Sequence, residues 1–278
     1  MGRNNMKAAV ISDIHIDINH NEKEPVIDSL KKVLEQDMPE ILIIAGDISN
    51  DYRKTLEFLK QTDRTIPTLF VPGNHDLWSI ENQQHDTWKI YDALGAYTHN
   101  LCTQNYIIND EWAVCGECGW YDYSFADREF SKELIQEGSY MQRKWKDKDY
   151  IKWGKNDAEV FDIFYDKLEK KISEVKDRKI IMVTHMLTHK EFTVKDHPMW
   201  KFFNAFLGSS RYGELIKKYD VKYSIMGHVH YRKELEENGT RYICACLNYT
   251  NEWEGSCSPY YQIKQTIKYI NTYKKIVR

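Results

Sequence analysis

The sequence predicts an α/β fold, a β-sandwich of mixed sheets flanked by helices, with a helical insertion. Its first half alternates short β-branched runs with amphipathic stretches, its second half carries hairpin signals, and a charged, aromatic stretch interrupts the strand pattern between them. The 278 residues are 42% hydrophobic and 29% charged, which is ordinary globular usage. We therefore expect a single domain over residues 1–278, with a helical cap or insertion at about 121–175.

The first half of the chain predicts a parallel sheet. In the first amphipathic stretch, the apolar residues Val26, Leu30 and Val33 fall on one helical face. Such β-α-β-α-β alternation implies right-handed crossovers that place helices outside the sheet. The predicted elements are strands at 8–12, 41–45 and 68–71, a helix at 25–36 and a second helix beginning near residue 50.

The second half predicts hairpins at the edges of the fold. Asn109-Asp110 suits a tight turn between two strands, and Glu237-Asn238-Gly239 is a strong hairpin signal. The stretch 125–175 is helical in character, and the end of the chain is expected to be antiparallel. The predicted strands are 106–108, 112–115, 180–184, 222–226, 231–236 and 241–247.

Charge and hydropathy exclude several classes of protein. Lysine and arginine number 39 against 42 acidic residues, so no global positive field draws the chain to nucleic acid or an anionic membrane. The longest apolar runs are far shorter than the ~20 residues that span a bilayer. The N-terminus lacks the apolar stretch of a signal peptide. We expect a cytoplasmic protein that makes no contact with a membrane.

The six cysteines favour reduced thiols. Cys115 and Cys118 have the spacing of half a zinc site, and Cys244 and Cys246 would be the other half. Both pairs lie in strand-like segments, where a free cysteine usually behaves as a small buried hydrophobe. We therefore favour buried free thiols over a structural zinc site.

Five strand-like runs each end in a residue suited to metal binding, or in a glycine that leads to one. Single Asp-x-His or His-x-His motifs are weak signals, but five at equivalent strand ends are not. In open α/β sheets the carboxyl ends of the strands line one crevice, so residues distant in sequence converge there. The candidate metal ligands are Asp13, His15, Asp47, Asn74, His185, His228 and His230.

These motifs resemble those of the calcineurin-like metallophosphoesterase family. Its pattern of Asp-x-His, Gly-Asp, Gly-Asn-His-Asp, a lone His and Gly-His-x-His is present in order from Asp13 to His230. The resemblance implies an α/β/β/α-layered fold and hydrolysis of a phosphomonoester or phosphodiester by a hydroxide bridging two metals. Many members carry an aspartate in place of Asn50, a departure that we expect to lie outside the metal shell.

The resemblance also implies a ligand set. The first metal would take Asp13, His15, Asp47 and His230, and the second would take Asp47, Asn74, His185 and His228, so that Asp47 bridges. Mixed oxygen and imidazole ligation suits manganese, iron or zinc ions. Two such ions lower the pKa of a bridging water and stabilise charge during in-line displacement. We expect two divalent ions and a small phosphorylated substrate.

Two residues beside Asn74 are candidate catalytic residues. His75 would face the substrate and stabilise the transition state or donate a proton to the leaving oxygen. Asp76 either holds the His75 ring or only caps the next helix, since aspartate is also a good N-cap.

Two other functions remain open. Some relatives of the family have become binding scaffolds with degraded metal sites, although every ligand is intact here. A nuclease is hinted at by residues 141–155, which carry six basic and two acidic residues interleaved with Trp145, Tyr150 and Trp153. For this stretch we favour a solvated helix face over a phosphate-steering lip above the metals.

Overall fold

The computed structural model describes residues 6–78, 80, 86–195 and 197–272. Residues 1–5, on which the expectation of no signal peptide largely rests, lie outside the described residues. The elements of the first half are β1 (Lys7–Ile11), α1 (Val26–Asp37), β2 (Ile41–Ala45), α2 (Tyr52–Asp63), β3 (Thr68–Val71), α3 (Asn74–Leu77) and α4 (Thr87–Gly95). Those of the middle are β4 (Tyr106–Ile107), β5 (Trp112–Glu117), α5 (Lys132–Glu137), β6 (Ser139–Tyr140), β7 (Arg143–Lys144), α6 (Asp147–Tyr150) and α7 (Asp157–Glu174). The last are β8 (Lys179–Thr184), α8 (Pro198–Phe203), α9 (Tyr212–Lys218), β9 (Tyr223–Met226), β10 (Arg232–Glu237), β11 (Thr240–Ala245), α10 (Pro259–Thr266) and β12 (Lys268–Asn271).

The first sheet has the strand order β12-β1-β2-β3. Strands β1, β2 and β3 are parallel, with Ala8 opposite Ile41 and Leu42 opposite Thr68, whereas β12 pairs with β1 in the antiparallel sense. β2 and β3 are buried along their whole length, as expected of strands covered on both faces. Helix α1 buries Leu30 and the other apolar residues of its inner face. The predicted parallel sheet and its helices are confirmed.

The second sheet has the order β10-β11-β9-β8-β5-β4. Strands β5, β8, β9 and β11 are parallel neighbours, and the antiparallel β4 and β10 form the two edges. Both predicted hairpins are confirmed. The expectation of an antiparallel end was only partly right, because β11 runs parallel to β9.

The two sheets pack face to face and are joined just beyond β1. There Ser12 forms an isolated bridge with Cys246, and its backbone N–H donates to the Ala245 carbonyl at 2.9 Å. Contacts between β3 and β5 complete the sandwich on the other side. The predicted mixed β-sandwich with outer helices is therefore confirmed. It brings the carboxyl ends of β1, β2, β3, β8 and β9 to one edge.

The predicted insertion at 121–175 contains two different parts. Residues 121–156 hold two short helices and the β6–β7 hairpin, whereas α7 packs on β5 and connects it to the parallel strand β8. The independence of residues 121–156 as an insertion stays a prediction. Within the described residues, no helix combines the length and apolar character needed to cross a membrane.

Candidate metal centre

The candidate ligands follow strands directly, and the backbone there is unusual. Asp13, His15, Asp47, His228 and His230 all have φ between 46° and 72°, the left-handed region that non-glycine residues rarely adopt. Strained residues of this kind persist only where the surroundings over-determine them, and they cluster at functional sites. The sharp strand exits turn these side chains inward to one point.

Gly73 shows how closely the loops approach there. A Cβ on Gly73 would lie 2.1 Å from the Asp47 Oδ1, a distance that no side chain could tolerate. Only glycine allows the β3 exit to pass beside the Asp47 carboxylate. The Gly-Asn-His-Asp motif therefore needs its glycine for packing against the Gly-Asp motif.

The first group of ligand atoms comprises Asp13, His15 and His230. The Nε2 atoms of His15 and His230 are 3.2 Å apart, and Asp13 Oδ1 lies 3.9 Å from the first and 3.7 Å from the second. The Asp13 carboxylate also accepts the backbone N–H of His228 at 3.0 Å. All three donors face one point of the buried site.

The second group comprises Asp47, His185 and His228, with Asn74 beside it. His185 Nε2 lies 3.3 Å from Asp47 Oδ2, 3.0 Å from Asn74 Oδ1 and 3.1 Å from His228 Nδ1. Asp47 Oδ2 also lies 3.8 Å from His15 Nε2 in the first group. The structure thus brings together all seven residues that the sequence singled out, with Asp47 between the two groups.

Outer hydrogen bonds orient the histidine rings for cations. His185 Nδ1–H donates to the Ala45 carbonyl at 2.8 Å, and His228 Nε2–H donates to the Phe206 carbonyl at 3.1 Å. His230 Nδ1–H donates to Glu252 Oε2 at 2.8 Å. In each ring the other nitrogen faces the site, which is the usual arrangement around a metal ion. The residues present therefore fit a pair of divalent cations.

The buried carboxylates of the site also favour bound cations. Asp13 and Asp47 are fully buried or nearly so, and among the described residues their ion-pair partners are all histidines. Burial opposes charging of His185, but the adjacent Asp47 carboxylate raises the pKa of this imidazole to about 10. A cation at this point would replace that proton and neutralise the carboxylates.

His75 faces the same site from α3. Its backbone N–H donates to Asp47 Oδ1 at 2.8 Å, and its ring stacks on Trp78 with the centroids 3.6 Å apart. The Nδ1–H donates to Asn50 Oδ1 at 2.6 Å, so Nε2 is left to face a ligand. Burial lowers the pKa of His75 to about 4, which keeps the ring neutral near pH 7 in the absence of metal and substrate.

The comparisons with known proteins agree with this geometry. A model of the calcineurin-like phosphoesterase family matches residues 6–232. The chain belongs to the calcineurin-like phosphoesterase family. It is therefore a metal-binding hydrolase of phosphoester bonds.

One relative and two solved structures are similar to this calcineurin-like phosphoesterase. It is 23% identical to the [acyl-carrier-protein] phosphodiesterase PptH of Mycobacterium tuberculosis, over 92% of this chain and 82% of that protein. The crystal structure of phosphopantetheinyl hydrolase (PptH) from the same organism superimposes with a TM-score of 0.71 at 17% identity, covering 91% and 94% of the two chains. A dimetal phosphatase from Danio rerio shares the fold with a TM-score of 0.50 at 12% identity, covering 86% of each chain.

In this calcineurin-like phosphoesterase, Asp76 does not hold the His75 ring. Its carboxylate instead accepts five hydrogen bonds from the loops around it. The donors are the backbone N–H groups of Asp47, Ile48, Ser49 and Gly73 and the hydroxyl of Thr55. Of the two roles expected for Asp76, holding the His75 ring is corrected, because both carboxylate oxygens accept from the loop that presents Asp47. The other role, capping the next helix, agrees with the bond from the Gly73 N–H at the start of α3.

Asn50 takes the place that had been expected for Asp76. It contacts the His75 ring directly. The departure from the family pattern at this position is therefore outside the metal ligands, as expected, but it replaces a carboxylate with a neutral amide against the candidate catalytic histidine. No motif in the sequence indicated that residue 50 would lie there, since the contact depends on how the β2 and β3 exits cross.

A cleft of about 600 Å³ opens onto the metal centre. The basic and aromatic segment 143–146 lines part of it. Its basic side chains are exposed, as the preferred interpretation of a solvated face expected, but the segment is not helical. Within residues 141–155 only the four-residue helix α6 forms; three of the six basic residues precede it, one lies in it and two follow it. Apolar side chains line another part of the cleft, namely Val194, Met199, Trp200, Phe203 and Leu207.

Two further acidic residues of the site escaped the sequence reasoning. Glu252 lies on a short 3-10 helix and anchors the His230 ring. Asp147 lies buried at the start of α6, where burial raises the pKa of its carboxyl to about 6 although three N–H groups donate to it. Neither follows a strand that the sequence predicts, so the strand-end pattern could not find them.

Proposed function

We propose that this chain hydrolyses a phosphodiester with two divalent metal ions. The observation that carries the proposal is the pair of facing ligand groups, joined through Asp47, at the floor of one cleft. Asp13, His15, Asp47 and His230 would hold the first ion, and Asp47, Asn74, His185 and His228 the second. When bound, the ions would activate a water and neutralise charge on the phosphoryl oxygens.

His75 is proposed as the catalytic residue of the chain itself. Its Nδ1–H is held by Asn50, so its Nε2 is directed into the site beside Asp47. From this position the ring can contact a phosphoryl oxygen or the leaving oxygen and stabilise charge there. Trp78 keeps the ring in place by stacking on its face.

The cleft supports a diester over a small monoester. A single phosphate group occupies a small part of about 600 Å³, so the cleft has room for the groups esterified to it. Arg143 and Lys146 are exposed on its lining and offer positive charge to an anionic portion of the substrate. The apolar side chains of the lining, Val194, Met199, Trp200, Phe203 and Leu207, would contact an extended organic group.

The relative from Mycobacterium tuberculosis is an acyl-carrier-protein phosphodiesterase. We propose that this chain acts on the same class of bond, a phosphodiester between a carrier and a long organic group. The scaffold alternative is less favoured, because the seven ligand residues and His75 converge here.

The metal and the compartment are further parts of the proposal. Carboxylate, amide and imidazole donors suit manganese, iron or zinc ions. All six cysteines are free and five are buried, which is typical of a reducing compartment, so we place the protein in the cytoplasm.

The test compares diester and monoester substrates. Bis-p-nitrophenyl phosphate, p-nitrophenyl phosphate and a phosphopantetheinylated carrier protein are incubated with the Mn²⁺-loaded protein. We expect hydrolysis of both diesters with a higher kcat/KM than for the monoester. Faster hydrolysis of the monoester would contradict the proposed preference, and release of phosphopantetheine with regeneration of the carrier hydroxyl would support the substrate class.

A further inference from the structure

Asp147 is a buried carboxylate that joins residues 121–156 to the candidate metal centre. Its side chain is 2% exposed, and its Oδ1 accepts hydrogen bonds from Asn74 Nδ2 at 2.8 Å and Trp78 Nε1 at 2.7 Å. Its Oδ2 accepts from Trp145 Nε1 at 2.9 Å. One carboxylate thus contacts three side chains of the site.

The contact with Asn74 fixes which way its amide points. A carboxylate can only accept hydrogen bonds, so the Asn74 group that faces Asp147 must be the NH₂ donor. The carbonyl Oδ1 of Asn74 then faces the other way, 3.0 Å from His185 Nε2. An amide binds a metal ion through its oxygen, so this orientation is the one that a ligand requires.

The two tryptophans extend this control to two histidines. Trp78 stacks on His75, with the ring centroids 3.6 Å apart and the planes at 28°. Trp145 meets His228 edge to face at 5.6 Å. Both indoles have their Nε1–H bound to Asp147, so their ring positions depend on the same carboxylate.

We propose that Asp147 is a positioning residue that holds the Asn74 oxygen toward the second metal ion. The inference rests on the proposed function, in which Asn74 is a ligand of that ion. Asp147 follows the segment 143–146, which lines the cleft. Its carboxylate therefore binds both Trp145 of that segment and the candidate ligand Asn74.

Asp157 provides a matched control. It is a carboxylate of the same region that accepts a tryptophan N–H, from Trp120 Nε1 at 2.9 Å, and it also accepts from Lys148 at 2.5 Å and from Tyr123. None of these donors is a candidate ligand. Loss of Asp157 disturbs the packing of the region without touching Asn74.

The experiment measures Mn²⁺ binding by calorimetry and electron paramagnetic resonance in wild type, Asp147→Ala, Asp147→Asn, Asp157→Ala and Asn74→Ala. For Asp147→Ala we expect one site to weaken by about 10- to 100-fold, the usual effect of losing a residue that orients a ligand. The Mn²⁺ site whose affinity falls should be the same site that is lost in Asn74→Ala, whereas Asp157→Ala should bind Mn²⁺ at both sites like wild type.

The conservative variant keeps the test decisive if Asp147→Ala does not fold. In Asp147→Asn the oxygen stays with Asn74 and Trp78 and the NH₂ group faces Trp145, because the reverse leaves two donors without an acceptor. Trp145, which contacts the candidate ligand His228, then loses its acceptor, so the same site weakens by less than in Asp147→Ala. The inference is overturned if the folded Asp147 variants bind Mn²⁺ with wild-type affinity, or if Asp157→Ala lowers the affinity for Mn²⁺ as much as they do. If Asn74→Ala instead binds both ions like wild type, the ligand assignment of the proposed function fails.

Discussion

Replacing Asp76 by asparagine tests the role that the structure gives this residue. Its Oδ2 accepts the backbone N–H groups of Asp47 and Gly73 at 2.8 and 2.9 Å, and its Oδ1 accepts those of Ile48 and Ser49 and the Thr55 hydroxyl. Asparagine has one acceptor oxygen and one NH₂ group. Whichever way its amide turns, at least two buried donors lose their acceptor.

The size of the effect follows from those donors. A buried donor left without a partner costs about 1–3 kcal/mol, so two of them lower the free energy of unfolding by about 2–6 kcal/mol. The assay is urea denaturation in EDTA, because bound metal would add its own stabilisation to the native state. Asp162→Asn is the control, since Asp162 forms an exposed pair with Arg211 and its loss should change stability by less than about 1 kcal/mol.

Asp76→Asn within 1 kcal/mol of wild type would refute the structural role. A variant with unchanged stability but greatly reduced turnover would return Asp76 to the role of holding the His75 ring.

Three more predictions concern the metal centre and its histidines. His75→Ala should retain both metal ions but lower kcat by about 10²- to 10³-fold, as when a stabilising donor is lost, and a kcat like that of wild type would refute the role. Glu252→Ala should weaken the binding of one metal ion by about tenfold or more, because the His230 ring loses its anchor, and titration with Mn²⁺ measures this. His185 has a pKa raised to about 10 by Asp47 against the effect of burial, so a metal ion binding below that pH must displace its proton. Apparent affinity should therefore rise by up to about tenfold per unit from pH 6 to pH 8, and an affinity independent of pH would contradict this competition.

The ligand set could be predicted from the sequence because each ligand follows a buried strand or a glycine that ends one. Parallel strands place their carboxyl ends at one edge, so Asp13 and Asp47 converge at the edge of the first sheet, and the packing of the second sheet on the first brings His185 to the same point. Strand bounds were recovered closely for the same reason, since β2 and β3 are continuous apolar runs.

The remaining parts of the site depend on crossings between loops, which leave no periodic signal. Asn50 follows the Gly-Asp motif and Asp76 ends the Gly-Asn-His-Asp motif, and which of them reaches His75 depends on how these two loops meet beside Gly73. β12 was missed because its apolar residues do not form a long run, and its pairing with β1 joins residues far apart in sequence. Asp147 lies in a charged stretch rich in lysine, and no pattern in the neighbouring sequence indicates that this one carboxylate is buried.

The most direct test of the dinuclear centre is metal content in wild type and Asp47→Ala, measured by mass spectrometry on protein purified without chelator. Asp47 lies between the two ligand groups, with its Oδ2 3.3 Å from His185 Nε2 and 3.8 Å from His15 Nε2. We predict close to two metal ions per wild-type chain, with metal-dependent hydrolysis of bis-p-nitrophenyl phosphate, and loss of metal and activity in the variant. Full metal occupancy in Asp47→Ala, or a wild-type protein that neither binds metal nor hydrolyses phosphoesters with any added metal, would contradict the account.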